Sequence, residues 1–311
     1  MKKSLWHRKL EVLESRLNPA APQYPSVKEE LRKCMAGMEG EKRLYYFLSE
    51  LNESFRLLHD IRLPSPNGVT HFQMDTVVVS PSVIFIFEVK HLTGHLIFNR
   101  YTNQLIRGNQ TFSDPITQVH RQKRALEQWL VKPVPILPAV VVSHPNARVD
   151  IIPPDSADRE FIVYPMEITS LVDAKINGRS PLLTAKEVHE ISGALLKHHR
   201  PYDPGILKTF NIHPDQIQTG IRCTACKTFT VTKINKKWTC ASCGSYFKTA
   251  HLAALQEYVL LFGPKITNSD LRAFLKIESR SITEKLLKKW RVDFEGTTRN
   301  YVHILPDADK Q

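Results

Sequence analysis

Two apolar runs, Val77-Val-Val79 and Val83-Ile-Phe-Ile-Phe87, are separated only by Ser80-Pro81-Ser82, and charge stands at their outer ends: Asp75 before the first, Glu88 and Lys90 after the second. Runs this rich in β-branched and aromatic residues read as two short buried strands, with Ser-Pro-Ser as the turn of a hairpin. Side chains alternate along a strand, so Glu88 and Lys90 project to one side and Asp75 on the neighbouring strand can lie across from them. Two carboxylates converging at a sheet edge make an oxygen-rich site of the kind Mg²⁺ accepts, and an adjacent ammonium can orient a water. The competing reading is an edge-strand charge pair between Glu88 and Lys90 worth less than about 1 kcal/mol, with Asp75 a turn residue.

The chain has 311 residues, a length that suits two or three domains. Its formal net charge of +12 favours polyanionic partners, nucleic acid first. From Ile221 onward 16 Lys and Arg stand against 8 Asp and Glu, so most of the excess sits in the last third. No run approaches the roughly 20 apolar residues of a membrane span, and the basic N-terminus has no apolar segment behind it, so a cytoplasmic protein without a membrane partner is expected.

Residues 1–35 read as an N-terminal arm, because Asn18-Pro-Ala-Ala-Pro-Gln-Tyr-Pro25 is too proline-rich to be regular. From about Gly37 a helix is expected, with Leu44, Phe47, Leu48 and Leu51 at helical spacing. Glu41 falls in its first turn, where an acid also has an ordinary use in complementing the helix dipole. Further strands are expected near Gly94–Phe98, Ile136–Val142 and Glu160–Tyr164, with more hairpin over 103–112. Asp114-Pro115 is an N-cap followed by proline at the first helical position, and it opens a helix that places Gln118 and Gln122 on one face. A further helix is expected over 184–197. Strands and helices in this order indicate an α/β or α+β sheet flanked by helices.

The pieces Gly40-Glu41, Gln73-Met-Asp75, Phe87-Glu88-Val-Lys90, Gly94 and Pro115-x-x-Gln118, in this order, resemble the NERD domain, the nuclease-related domain, over residues 36–200. The resemblance implies a PD-(D/E)xK, restriction-endonuclease-like mixed sheet flanked by helices. It also implies a Mg²⁺- or Mn²⁺-dependent phosphodiester hydrolase, with Asp75 and Glu88 as metal ligands, Lys90 beside the attacking water, and Glu41 and Gln118 in support.

After a linker at 201–220 come Cys223-x-x-Cys226 and Cys240-x-x-Cys243, with thirteen residues between the two pairs. Two such pairs suit one tetrahedral Zn²⁺ in a zinc ribbon over 221–250, with all four thiolates used and the metal structural. A thioredoxin-like redox pair is the alternative. Residues 251–311 read as three helices and a hairpin resembling a winged helix-turn-helix, with Arg280, Lys285, Lys288, Lys289 and Arg299 on phosphates. A small helical domain with a solvated basic face is the plainer alternative. The expectation is a metal-dependent nuclease acting on nucleic acid, DNA first. A DNA-binding protein with an inactive nuclease fold, and an RNA-directed enzyme, stay open.

Overall fold

A computed structural model describes residues 2–51, 54–234, 237–289, 293–295 and 302–306. In chain order these form α1 (Leu5–Arg16), α2 (Tyr24–Leu48), β1 (Arg56–Pro64), β2 (His71–Val79), β3 (Ile84–Lys90), β4 (Gly94–Asn99), β5 (Gln104–Arg107), β6 (Gln110–Ser113), α3 (Pro115–Trp129), β7 (Ile136–Val142), β8 (Ala147–Ile152), β9 (Ile162–Val163), α4 (Ile168–Ile176) and α5 (Ala185–His198). They continue with α6 (Ile206–Thr209), β10 (Val231–Ile234), β11 (Lys237–Cys240), β12 (Tyr246–Phe247), α7 (Ala250–Phe262), β13 (Lys265–Ile266), α8 (Asn268–Leu275), α9 (Arg280–Lys289), β14 (Asp293–Glu295) and β15 (Val302–Ile304). The chain divides into two compact units, one of Lys33–Tyr202 with the extreme N-terminus, the other of Leu5–Arg32 with Asp203 onward.

The first unit is mixed α/β. Its five-stranded sheet runs β1-β2-β3-β7-β9, antiparallel through β3 and parallel from β3 through β7 to β9. Alternation along β3 sends Ile84 and Ile86 into a core with Val119 and Leu126 of α3 and Val188 and Leu195 of α5. Phe85 and Phe87 enter a separate core with Leu44 and Leu48 of α2 and Ile168 and Val172 of α4. Both faces of the sheet are therefore covered, and this is why its central strands are apolar without a polar side. The expected hairpin is present as β2 and β3. Strands β4 to β6, expected to extend the same set, form a second sheet with β8, ordered β6-β5-β4-β8. The stretch expected as a strand at 160–164 is a short 3-10 turn over Ala157–Phe161 followed by the two residues of β9.

The residues expected as an irregular arm are largely helical. Leu10, Leu13 and Leu17 recur at three- and four-residue spacing and are buried, so α1 has a true apolar face. Only the proline-rich segment between α1 and α2 is irregular, and Pro25 sits in the first turn of α2, where its missing N–H costs nothing. Because α2 starts at Tyr24, Glu41 lies in its second half.

In the second unit, Ile221, Cys223, Val231, Trp238 and Cys240 share one core with Leu255, Leu271, Phe274 and Leu287. The cysteine segment and the C-terminal helices are thus packed together, and the expected boundary at 250 separates nothing in that core. The segment expected as a linker carries α6 and buries Ile206, Ile212 and Ile217. Strand β13 pairs with β15, which pairs with β14, giving an order of helix, strand, helix, helix, strand, strand over α7 to β15. Arg16 of α1 is fully buried in this unit: Nη1 donates to the Gln218 carbonyl at 2.6 Å, Nε to Glu257 at 2.7 Å, and the guanidinium lies 4.5 Å from the Phe274 ring centroid.

Candidate active site and cysteine cluster

Strands β2 and β3 pair from Val79↔Ile84 to Thr76↔Phe87 and no further. Beyond that rung β3 stays bonded to β7, with Glu88↔Val140, Val89↔Val141 and Lys90↔Val142. At the point of divergence the Asp75 carboxylate replaces a ladder carbonyl: its Oδ2 accepts the Val89 backbone N–H at 2.8 Å. The opening exposes the ends of two neighbouring strands to one another, and there Asp75, Glu88 and Lys90 meet.

Glu88 is 2% exposed. Lys90 Nζ donates to its Oε1 at 2.6 Å, and Gln122 Nε2 donates to its Oε2 at 2.8 Å. Lys90 Nζ also reaches Gln118 Oε1 at 3.4 Å, a long contact. The sequence reading placed Gln118 and Gln122 on one face but singled out Gln118 alone. It is Gln122 that holds the buried acid. Its Nε2 donates to the Gln73 carbonyl as well, which fixes the amide orientation, and its Oε1 is buried without a hydrogen-bond partner among the described residues.

Burial, then the nearby Glu88 and Glu41, push the Asp75 carboxyl well above the usual carboxylate range, against Lys90 and the Val89 N–H. Glu41 is raised to about 7 by burial, Asp60 and Glu88. Helix α2 delivers Glu41 by approaching closely at Gly40, where a Cβ would stand 2.6 Å from both His91 Cβ and Ser143 Oγ. With Glu41 far from the first turn, the helix-dipole explanation of this acid no longer applies. Asp60 was not anticipated. It sits in β1 at φ 52°, accepts from Gln73 Nε2 at 2.6 Å, and has its carboxyl raised by burial. Its signal in the sequence, an acid inside the apolar strand Leu57-Leu-His-Asp-Ile, was weak because strand residues often face solvent.

Residues 36–143 match the family model of NERD, the nuclease-related domain. No curated protein and no solved structure gives a match. The NERD match takes in Glu41, Asp60, Asp75, Glu88, Lys90, Gln118 and Gln122, and ends just past β7. It is shorter than the expected 36–200, since the compact unit runs on through α4 and α5 to Tyr202.

The donor set suits a hard divalent cation. Asp75 and Glu88 supply carboxylate oxygens, the nearness of Glu88 and Glu41 adds to burial in raising the Asp75 carboxyl, and Asp75 Oδ1 takes no protein hydrogen bond among the described residues. Among the described residues, Asp75, Glu88 and Glu41 are not drawn together into a metal-ligand group as the four cysteines are.

Outside the NERD match, Cys223, Cys226, Cys240 and Cys243 have their sulfurs within 4.8 Å of one another. Cys223 and Cys243 are 3.7 Å apart, and Cys226 and Cys240 are 3.6 Å apart. A tetrahedron of sulfurs about 2.3 Å from zinc has edges of about 3.8 Å, so the four thiols fit a single Zn²⁺. They are carried by the turns flanking β10 and β11, and the Thr230 hydroxyl, 3.3 Å from Cys240 Sγ, is the main cause that lowers the Cys240 thiol to about 5. Pairs this close to each other leave the redox alternative without a reason for its second dithiol.

On α9, Thr283, Leu286 and Leu287 are buried while Lys285 and Lys288 are exposed. Arg280 is exposed and spends its Nε on Glu284 at 2.9 Å. The side chain of Lys289 and the whole of Arg299 lie outside the described residues. No helix among the described residues is long and apolar enough to cross a membrane.

Proposed function

We propose that the chain is a divalent-metal-dependent nuclease acting on nucleic acid, DNA first. The observation that carries this is the meeting of Asp75, Glu88 and Lys90 where β2 and β3 part, inside the NERD match. Asp75 and Glu88 would hold Mg²⁺ or Mn²⁺, which when bound offsets phosphate charge and lowers the pKa of a water. Asp75 is anchored through Oδ2 on Val89, which leaves Oδ1 to face a ligand. Gln122 holds Glu88 Oε2 so that Oε1 and the Lys90 ammonium share the open side. The ammonium can then orient a water or a phosphate oxygen, and Gln118 limits where Lys90 reaches. Glu41, with a carboxyl near 7, is suited to exchange a proton close to neutral pH.

The second unit supplies holding rather than cutting in this reading. Its α7 to β15 order is that of a winged-helix-like domain, with Lys285 and Lys288 on the free face of α9, and the cysteine cluster with structural zinc braces the same core. A second reading, a DNA-binding protein with an inactive nuclease fold, is favoured by one observation: both Glu88 oxygens already have protein donors.

The test compares wild type with Glu88→Ala and Lys90→Ala on plasmid, linear and single-stranded DNA and on RNA, with Mg²⁺, with Mn²⁺ and with chelator. Cleavage that needs the cation and is lost in both variants is expected. Equal cleavage by all three proteins would mean a contaminating nuclease. No cleavage by wild type, with DNA binding intact, selects the second reading.

A further inference from the structure

A groove of about 1280 Å³ runs along α3 between the β1–β2 turn and the sheet of β5 and β6. Its inner end is made by Gln118 and Gln122, the side chains that touch Lys90 and Glu88. Gln118, Arg121, Ala125 and Gln128 follow one another at three- and four-residue spacing, with Thr117 one turn before Arg121, and turn one face of α3 into its floor. The opposite face, with Ile116, Val119 and Leu126, is in the core.

The charges on this face are of one kind. Arg121 and Arg124 are exposed in the groove and make no ion pair or hydrogen bond among the described residues. Other cations nearby are spent: Arg100 Nε holds Asp158 at 2.6 Å, its Nη1 is paired with Asp114, and Lys123 lies 3.8 Å from Glu127. Asp114, the one carboxylate in the lining, is paired with Arg100 and also accepts the Thr117 N–H and hydroxyl. The rest of the wall is chiefly amide and hydroxyl side chains, Asn103, Gln104 and Gln128 among them, which offer donors and acceptors together.

We infer that this groove seats an unpaired nucleic-acid strand, with Arg121 and Arg124 on its phosphates, leading it to the Glu88 and Lys90 end. The inference rests on the nuclease reading for its direction but not for the binding itself. Guanidinium groups suit phosphate, and amides suit base edges, whose Watson–Crick sides are free only in an unpaired strand. From Gln118 to Gln128 the helix advances about 15 Å, room for about four nucleotides at a rise of about 3.4 Å each. At the inner end, the buried Gln122 Oε1 is a polar acceptor still without a partner.

The test is fluorescence anisotropy of short labelled single-stranded DNA, single-stranded RNA and duplex DNA with the full chain in buffer without added Mg²⁺ or Mn²⁺, where no cleavage that needs the added cation occurs. The proteins are wild type, Arg121→Glu/Arg124→Glu, the milder Arg121→Gln/Arg124→Gln, and each pair again with Lys285→Glu/Lys288→Glu to remove the α9 contribution. Loss of two phosphate contacts is expected to weaken single-strand binding about tenfold and to reduce the slope of log affinity against log salt by about 1.4. The Gln pair is expected to show a smaller loss in the same direction. Unchanged affinity and slope in the Arg pairs, stronger dependence for duplex than for single strand, or no binding of any oligonucleotide by wild type would each overturn the groove. If wild type cuts nothing while the Arg pairs lose binding, the groove stands and the nuclease reading fails. If the Arg pairs cut with unchanged KM, the reverse holds.

Discussion

Asp75 accepts the backbone N–H of Val89 at 2.8 Å, one residue beyond the last rung that pairs β2 with β3. A side chain thus takes over from the ladder where the ladder stops, and an N–H that would otherwise be orphaned is satisfied. The same substitution of side chain for main chain holds Glu88, whose two oxygens are divided between Lys90 and Gln122. The site is an interruption of a sheet, stabilised by the residues that would act in it.

Gln122 is expected to matter to stability before it matters to chemistry. Gln122→Leu leaves Glu88 Oε2 and the Gln73 carbonyl without a donor, but also removes an acceptor that has none. A loss of about 1–2 kcal/mol is expected, read from urea unfolding. An unchanged midpoint would mean that the amide carries no share of the buried carboxylate.

The acids should make stability depend on pH. Glu41 has a folded-state value of about 7 against an ordinary 4.5, so the folded chain binds this proton more tightly than the unfolded one. Its stabilising share is whole below pH 4.5 and is lost as pH rises through 7. Without added Mg²⁺ or Mn²⁺ the unfolding free energy is expected to fall over that range by on the order of 3 kcal/mol, with Asp75 shifting in the same direction. Glu41→Gln should flatten the fall, and so should added Mg²⁺, which neutralises the cluster in place of the proton. An unfolding free energy that rises over the same range without added divalent cation contradicts the assignment.

Zinc removal is expected to loosen α7 and α8 along with the cysteine turns. Cys223, Cys240, Trp238, Leu255 and Leu271 share a core, so the binding energy of a metal held by the cysteines would support all of them. Metal analysis should give one zinc per chain. After chelation, hydrogen exchange should speed up at Leu255 and Leu271 while β3 amides keep their protection. Exchange confined to the cysteine turns would show that the ribbon is braced independently.

Arg16 is the costly charge of the second unit, its guanidinium lowered by burial against the support of Glu257. Arg16→Met strands Glu257 and the carbonyls of Gln218 and Gly220, and about 3–5 kcal/mol should be lost. Pairing it with Glu257→Met should recover part of that loss in a double-mutant cycle. Strict additivity of the two would mean that the ion pair contributes nothing.

Much of this was legible along the chain. Val77–Val79 and Val83–Phe87 announced a buried hairpin because β-branched and aromatic runs have little other use, and Asp114-Pro115 announced α3 through local capping chemistry. The two Cys-x-x-Cys pairs needed only their own turns to be recognised. Helix α1 was missed because its buried face includes His7, Lys9 and Arg16, which look solvated until partners far along the chain are known. The start of α2 was missed for a related reason, since Pro25 reads as a breaker unless it stands in a first turn.

The amino-acid sequence by itself determined the β2–β3 hairpin, α3 and the chemical types at the site, because propensity, capping and alternation act over a few residues. Tertiary structure decided that β2 and β3 part at Asp75, that Gln122 rather than Gln118 holds Glu88, and that Glu41 and Asp60 crowd the same acids. Those outcomes depend on residues 14 to 34 positions apart in the strand and helix bonds, and on Glu88 lying far along the chain from Glu41, meeting through packing. Asp75, Glu88 and Lys90 could be named from the chain. The opening that makes them a site comes from a sheet that stops pairing on one side while β7 holds the other.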